Sequence, residues 1–202
     1  MENRMVYLIR HGKIKLEDNQ RRYIGQSDLP LNEEGIQQAQ RLQKILKHTD
    51  ISAAYSSDLS RSRQTAQIIV EQKAVTNITR KDLREIHLGE WEGCTFSDIA
   101  RQYPGEFKAR GTDIGYYRVP GGESFADCYK RSVAAFHDIM NSSSGNVLLV
   151  GHAGVNRVLL SYILGMPLAN LFRITQNYGC LNVINYNSSS CQVKLVNFSA
   201  LK

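Results

Sequence analysis

The sequence predicts an α/β fold in three layers: a doubly wound, mainly parallel sheet with helices on both faces and an antiparallel strand at its edge. Three features carry that expectation. Short apolar runs alternate with segments of helical period, the pattern of successive βα units. Val147-Leu148-Leu149-Val150 is apolar at every position, as suits a strand covered on both faces. The last two strand-like runs are joined by Asn187-Ser188-Ser189-Ser190 with no helix between them, which reads as a hairpin at the sheet edge.

Met5–Ile9 is the first strand, and it runs straight into Arg10-His11-Gly12, where glycine permits a turn. Asn32 then caps a helix carrying Ile36, Ala39, Leu42, Ile45 and Leu46 on one face. Ala53–Ser56 is the second strand, Ser60 to Val70 the helix after it, and Asn77–Arg80 the third strand. Glu123 and Ser124 open a helix with Phe125, Cys128, Tyr129, Val133, Phe136 and Met140 at helical spacing, a row suited to the core. The loop Asn141-Ser142-Ser143-Ser144-Gly145 leads to a fourth strand, Asn146–Val150. A helix from Val155 to Leu164 is stopped by Gly165 and Pro167. Leu181–Tyr186 and Gln192–Phe198 form the closing hairpin. No repeat or linker interrupts the 202 residues, so a single domain, 1–202, is expected, with a small helical lid inserted at about 90–120.

Composition narrows the partners. Hydrophobic residues make up 42% and charged residues 22%, ordinary values for a soluble globular chain. The net charge of +6 favours anionic ligands, but the basic residues are dispersed and no run of like charges marks a nucleic-acid arm. No stretch approaches the ~18 apolar residues of a membrane span, and Met5–Ile9 is too short an apolar core for export. Cys94, Cys128, Cys180 and Cys191 form no C-x-x-C pair and no zinc-ligand spacing. The expectation is a cytoplasmic protein with reduced, mostly buried cysteines, acting on a small phosphorylated compound, with neither nucleic acid nor membrane as partner.

Three segments repeat one arrangement: an apolar strand, a turn dense in donors, then a helix. They are Leu8–Gly12, Tyr55–Arg61 and Val150–Gly154. In a parallel sheet such turns share one edge, the edge where ligands bind. Arg10, His11, Arg61 and His152 would meet there, together with helix N-termini. Four groups of that kind accommodate one another around an anion, and a phosphoryl group suits the arginine forks. Each residue alone has a plainer reading. His152 could cap a turn, Arg61 could be a solvated helix residue, a reading that suits Arg63 better, and Glu85 could be a surface charge, with Glu90 and Glu92 competing for any catalytic role. His87 reads as structural, and His48 and His137 as exposed helix residues.

The order of these segments resembles the histidine phosphatase superfamily, which includes the phosphoglycerate mutases. The matching stretches are Leu8–Gly12, Gly25–Gly35, Ser56–Ala66, Leu83–Glu85, Pro120–Ser124 and Val150–Val155. The resemblance implies that His11 is the nucleophile that becomes phosphohistidine. Arg10, Arg61, His152 and the adjoining Ala153 are then the phosphoryl-binding positions, and Glu85 the proton donor that later activates water. It implies a metal-independent phosphatase with no cofactor, because arginine and histidine supply the positive charge. The chain departs from the family after the first turn, where Lys13 and Ile14 replace a Glu/Gln-Thr pair. Glu17 stands where an Asn is common, and Asn19 is left without an assigned role. Arg22–Leu31, Pro120–Phe125 and Asn177–Val183 look most like α-ribazole phosphatases, which remove the 5′-phosphate of α-ribazole 5′-phosphate in assembling the nucleotide loop of cobalamin. Broad-specificity sugar or nucleotide phosphatases, phosphoglycerate mutases and a catalytically silent binding module of the same fold are the alternatives. In the lid, Trp91, Tyr103, Phe107, Tyr116 and Tyr117 either cover a substrate or pack the lid onto the domain, and the chain is a monomer or a homodimer.

Overall fold

Four consecutive branched residues decide the centre of the molecule. In the computed structural model, which describes residues 3–18, 20–187 and 190–199, Val147–Gly151 is strand β4 of a six-stranded sheet. The strands are β1 (Arg4–Arg10), β2 (Ala53–Ser56), β3 (Asn77–Thr79), β4, β5 (Leu181–Asn187) and β6 (Ser190–Phe198). They lie in the order β3-β2-β4-β1-β5-β6. The first four are mutually parallel, and β5 and β6 add antiparallel. The hairpin expected at the edge is present, although Ser188 and Ser189 of its turn, like Asn19, lie outside the described residues.

The period of two sorts β4 between two cores. Val147 and Leu149 join Val6, Leu8 and Ile184 against α5 (Phe125–Ser142) and α6 (Ala153–Ile163). Leu148 and Val150 join Ile9, Ala54 and Leu181 against α1 (Glu33–Ile45) and α2 (Ser60–Val70). All four branched residues of β4 are wholly buried, so truncating any one to alanine removes roughly 1–5 kcal/mol.

Helix ends follow the caps written in the chain. Asn32 accepts from Gly35 N at 2.8 Å, and Ser124 forms a reciprocal capping box with Asp127. Two expectations are corrected. The buried row of α1 is Gly35, Ala39 and Leu42, continuing to Leu46, whereas Ile45 is 44% exposed because it lies round the helix from that row. His137 is half-buried: α5 packs on α6, and its Nε2 sits 2.8 Å from the Tyr162 hydroxyl. The helix expected from Val155 begins two residues earlier, at Ala153, with His152 as its cap. Between β3 and α5 lie α3 (Phe96–Gln102) and α4 (Pro104–Thr112), the elements of the expected lid region. Cys128 and Cys180 are buried, Cys94 and Cys191 partly so, and all four are free thiols. Among the described residues no helix is long and apolar enough to cross a membrane.

Candidate active site

Register brings the turns together. Arg10 pairs with Gly151 across β1 and β4, and Ser56 with Val150 across β2 and β4. The next residues, His11, His152 and Ser57, therefore leave the sheet side by side at its C-terminal edge. The His11 and His152 rings meet edge-on with centroids 5.0 Å apart. Gly12 is required by packing: a Cβ there would strike the backbone of Gly35 in the first turn of α1.

Hydrogen bonds set the two imidazoles. His11 Nδ1 lies 2.7 Å from the Gly12 carbonyl oxygen, which can only accept. The proton of the neutral ring is therefore on Nδ1, and Nε2 carries the free lone pair. His152 Nε2 lies 2.7 Å from the Ser57 hydroxyl. With that hydroxyl donating, His152 holds its proton on Nδ1, a buried atom with no partner among the described residues. Burial first, and then the charges of Arg61 and Arg10, hold the His11 pKa well below the ordinary histidine value. Burial and Arg61 do the same to His152, helped by His11 and Arg10.

Arg61 is only 1% exposed, and its two terminal nitrogens donate to Ser27 O and Gly25 O, each at 2.6 Å. The loop supplying those carbonyls is itself pinned by Glu92, whose carboxylate accepts from the backbone N–H groups of Gly25, Gln26 and Ser27 at 2.8, 3.2 and 3.1 Å. Arg10 donates to the Gln176 carbonyl at 2.6 Å and lies flat on the Tyr178 ring, 3.7 Å from its centroid. Arg10 Nε and Arg61 Nε, like His152 Nδ1, are buried without partners among the described residues. Both arginines act electrostatically on both imidazoles, so an oxyanion among them would satisfy these unpartnered nitrogens.

Glu85 is buried at the start of α6, accepting from Gly154 N at 2.9 Å, Val155 N at 3.3 Å and its neighbour Ile86 N at 3.0 Å. Gly154 makes this approach possible, since a Cβ at that position would meet the Glu85 carboxylate.

A cavity of about 440 Å³ opens beside the cluster, reached through Arg10, Glu85, Ala153 and Tyr178. His11, Arg61 and His152 lie deeper and are not on its wall. Its aromatic wall is Tyr23, Phe96, Phe125, Phe172 and Tyr178, not the five lid aromatics of the sequence reading. Trp91 is buried against Tyr23 and Tyr117, while Tyr103, Phe107 and Tyr116 face solvent. From the 90–120 segment Phe96 of α3 and Arg110 of α4 reach the cavity, the Arg110 guanidinium carbon lying 5.5 Å from the Tyr23 ring centre and 5.9 Å from that of Phe125.

The five residues of the sequence reading, Arg10, His11, Arg61, Glu85 and His152, surround this edge, with Ala153 on the cavity wall. Glu90 is exposed and Glu92 is engaged in holding a loop, which separates both from the role considered for Glu85. The sequence reading quoted Ser57 within its turn without a role; its place directly after a strand was the available signal. It also passed over Gln176, which nothing local distinguishes.

The family model described as the histidine phosphatase superfamily (branch 1) matches residues 6–199. The chain belongs to the histidine phosphatase superfamily. Within that superfamily it is 29% identical over 198 residues to an adenosylcobalamin/alpha-ribazole phosphatase of Salmonella typhimurium, covering 97% of both chains. It is 34% identical over 185 residues to a probable phosphoglycerate mutase GpmB of Yersinia pestis, covering 91% of this chain and 86% of that one. Among solved structures, YhfR of Bacillus stearothermophilus superimposes with a TM-score of 0.88 at 30% identity, over 97% of this chain and 98% of that one. The alpha-ribazole phosphatase of Shigella flexneri gives 0.86 at 25% identity, over 98% of each chain. The expected phosphatase, the mutase-like architecture and the small phosphorylated substrate class agree with these findings.

Proposed function

We propose that this histidine phosphatase hydrolyses α-ribazole 5′-phosphate through a phosphohistidine at His11. The observation that carries the chemistry is that Arg10 Nε, Arg61 Nε and His152 Nδ1 are buried without partners among the described residues, in side chains that pack against the His11 ring or act on it electrostatically. His11 Nε2 attacks phosphorus while Arg10, Arg61 and His152 hold the equatorial oxygens, lowering the energy of the charge that spreads over them. The P–O bond to the ribose breaks, and Glu85 gives its proton to the departing alkoxide, help worth ~100- to 10,000-fold. Glu85, now a carboxylate, takes a proton from water as that water attacks the phosphohistidine. Inorganic phosphate leaves, and His11 is restored.

The substrate reading rests on the cavity and on the name of the Salmonella relative. A volume of about 440 Å³ walled by aromatic rings suits a nucleoside-sized alcohol with a planar base. Arg110 forms no ion pair or hydrogen bond among the described residues and lies within cation–π reach of Tyr23 and Phe125, so it can stack on that base. In this reading the 90–120 segment acts as a lid over a single domain, with Arg110 its contact to substrate.

A phosphoglycerate mutase is the second reading, favoured by the 34% identity to the Yersinia protein and by Arg110 as a ligand for a second anion. The purified protein, in chelator, is offered α-ribazole 5′-phosphate, nucleotides, sugar phosphates and phosphoglycerates. The highest kcat/KM is expected for α-ribazole 5′-phosphate, with phosphate released. Interconversion of phosphoglycerates at a higher rate would overturn the substrate reading, and undiminished turnover by His11→Ala would overturn the mechanism.

A further inference from the structure

Arg10 is oriented from behind by a segment that the sequence reading used only for its likeness to α-ribazole phosphatases. Residues 176–180 hold both functional residues at the end of β1. The Gln176 carbonyl accepts from Arg10 Nη1, the Cys180 carbonyl accepts from Arg10 N at 3.1 Å, and Gly179 N donates to the His11 carbonyl at 3.1 Å. The Tyr178 ring lies under the Arg10 guanidinium and 5.6 Å from the His11 ring centre.

This segment is in turn fixed by buried amides. Gln176 Nε2 donates to Asn182 Oδ1 at 2.7 Å, and Gln176 Oε1 accepts from Asn182 Nδ2 at 3.0 Å, a reciprocal pair. Asn156 Nδ2 of α6 also donates to Gln176 Oε1, at 3.3 Å. Gln176, Asn182 and Asn156 are 3%, 0% and 0% exposed, so these bonds are shielded from water. The outer clasp is Asn197 in β6. Its N–H donates to Asn182 Oδ1 at 2.9 Å, and its Oδ1 accepts from Asn177 N at 2.6 Å. Asn197 stands at φ 54°, the one non-glycine residue with positive φ among the described residues. It lies where the β5–β6 pairing shifts register between Leu181 and Val183. That bulge turns its side chain toward the 176–180 segment instead of along the sheet.

We propose that Asn197, acting through Gln176, is a positioning residue for Arg10, so that the edge strand sets the geometry of phosphoryl binding. The network has no other visible demand for an asparagine in the left-handed region, a conformation glycine adopts without cost. The inference rests on Arg10 being a phosphoryl ligand.

The test is a double-mutant cycle on the full chain with Asn197→Gly, which keeps the backbone conformation and removes the acceptor, and Arg10→Ala. The readouts are kcat and KM for p-nitrophenyl phosphate, the inhibition constant of orthovanadate and the thermal midpoint. Asn197→Gly is expected to weaken vanadate about 5- to 20-fold and lower kcat similarly, and Asn197→Asp, which keeps the acceptor, to restore most of both. In the Arg10→Ala background, Asn197→Gly should change vanadate affinity less than twofold. Gln176→Met is the second variant, expected to reproduce the Asn197→Gly loss. A folded Asn197→Gly protein with wild-type vanadate affinity, or the same loss with and without Arg10, overturns the proposal. Failure of both Asn197→Gly and Gln176→Met to fold would make the network a folding element and overturn it too. Undiminished vanadate binding by Arg10→Ala alone would instead reject Arg10 as a phosphoryl ligand.

Discussion

Replacing Ser57 by alanine should weaken phosphoryl transfer through His152 while leaving every residue that contacts the phosphoryl oxygens in place. Ser57 is fully buried, and its hydroxyl is 2.7 Å from His152 Nε2. Without it, that nitrogen has no described partner in a site from which water is shut out, a penalty of about 1–3 kcal/mol. The second effect is on the tautomer, and it is the one that reaches the ligand. While the hydroxyl donates to Nε2, the proton stays on Nδ1 and faces the oxyanion. Once the hydroxyl is gone, the two tautomers approach equal energy, and the one with a lone pair on Nδ1 repels the phosphoryl oxygens. With the two tautomers equally populated, only half of the molecules present a donor to the oxyanion, which corresponds to about a twofold weakening. The assay is kcat and KM for p-nitrophenyl phosphate, the inhibition constant of orthovanadate, and the ¹⁵N shifts of the imidazole, which report the tautomer. Ser57→Ala should lower both kcat and vanadate affinity about twofold, while the unpartnered nitrogen shows in the thermal midpoint, which falls by about 2–4 °C for each kcal/mol lost. Wild-type vanadate affinity in Ser57→Ala, with His152 still protonated on Nδ1, would refute the reasoning.

Other perturbations test the remaining parts. Glu85→Gln should slow hydrolysis of alkyl phosphates at least tenfold more than that of p-nitrophenyl phosphate, whose leaving group departs without a proton; equal losses on both ester types remove Glu85 from the acid role. Glu92→Ala deprives the Gly25, Gln26 and Ser27 N–H groups of their acceptor and frees the carbonyls that clamp Arg61. A fall in kcat/KM of about tenfold is expected, as one charge-assisted hydrogen bond is worth ~1.5–3 kcal/mol, and an unchanged kcat/KM breaks the link to Arg61. His11 and His152 have folded pKa values held well below 6.5 by burial and by Arg61, so below that pH the unfolded chain binds protons that the native one refuses. Stability should therefore be level above about pH 7 and fall on acidification below 6.5, by up to about 1.4 kcal/mol per pH unit for each histidine. Denaturant titrations between pH 5 and 8 measure this, and a stability that rose as pH fell through that window would contradict the neutral assignment of both rings.

Much of the architecture was legible because it is written in local chemistry. The apolar Val147–Val150 run, the Asn32 and Ser124 caps and the Gly165 stop each act over a few residues, and each element appeared within two residues of its expected bounds. Periodicity was less reliable where a helix packs on one side only. It counted Ile45 of α1 into the core and His137 of α5 out of it, because the width of a buried face depends on what packs against it. The aromatic wall shows the same division. The sequence pointed to Trp91, Tyr103, Phe107, Tyr116 and Tyr117, yet of the rings that face the cavity only Phe96 lies in that segment, and Tyr23, Phe125, Phe172 and Tyr178 come from other parts of the chain.

The chain by itself determined the strand ends, the donor-rich turns and therefore the set Arg10, His11, Arg61 and His152, since parallel strands deliver their C-terminal turns to a common edge, whereas Glu85 was singled out only by the resemblance to the family. Only the tertiary structure decided how those groups are held: Ser57 on His152, Glu92 through a loop on Arg61, and the Gln176–Asn182–Asn197 amides on Arg10. The reason is physical. A turn motif is fixed by residues adjacent in the chain, whereas the tautomer of an imidazole or the angle of a guanidinium is fixed by hydrogen bonds from residues tens of positions away. Those partners carry no local pattern until the sheet register places them within reach.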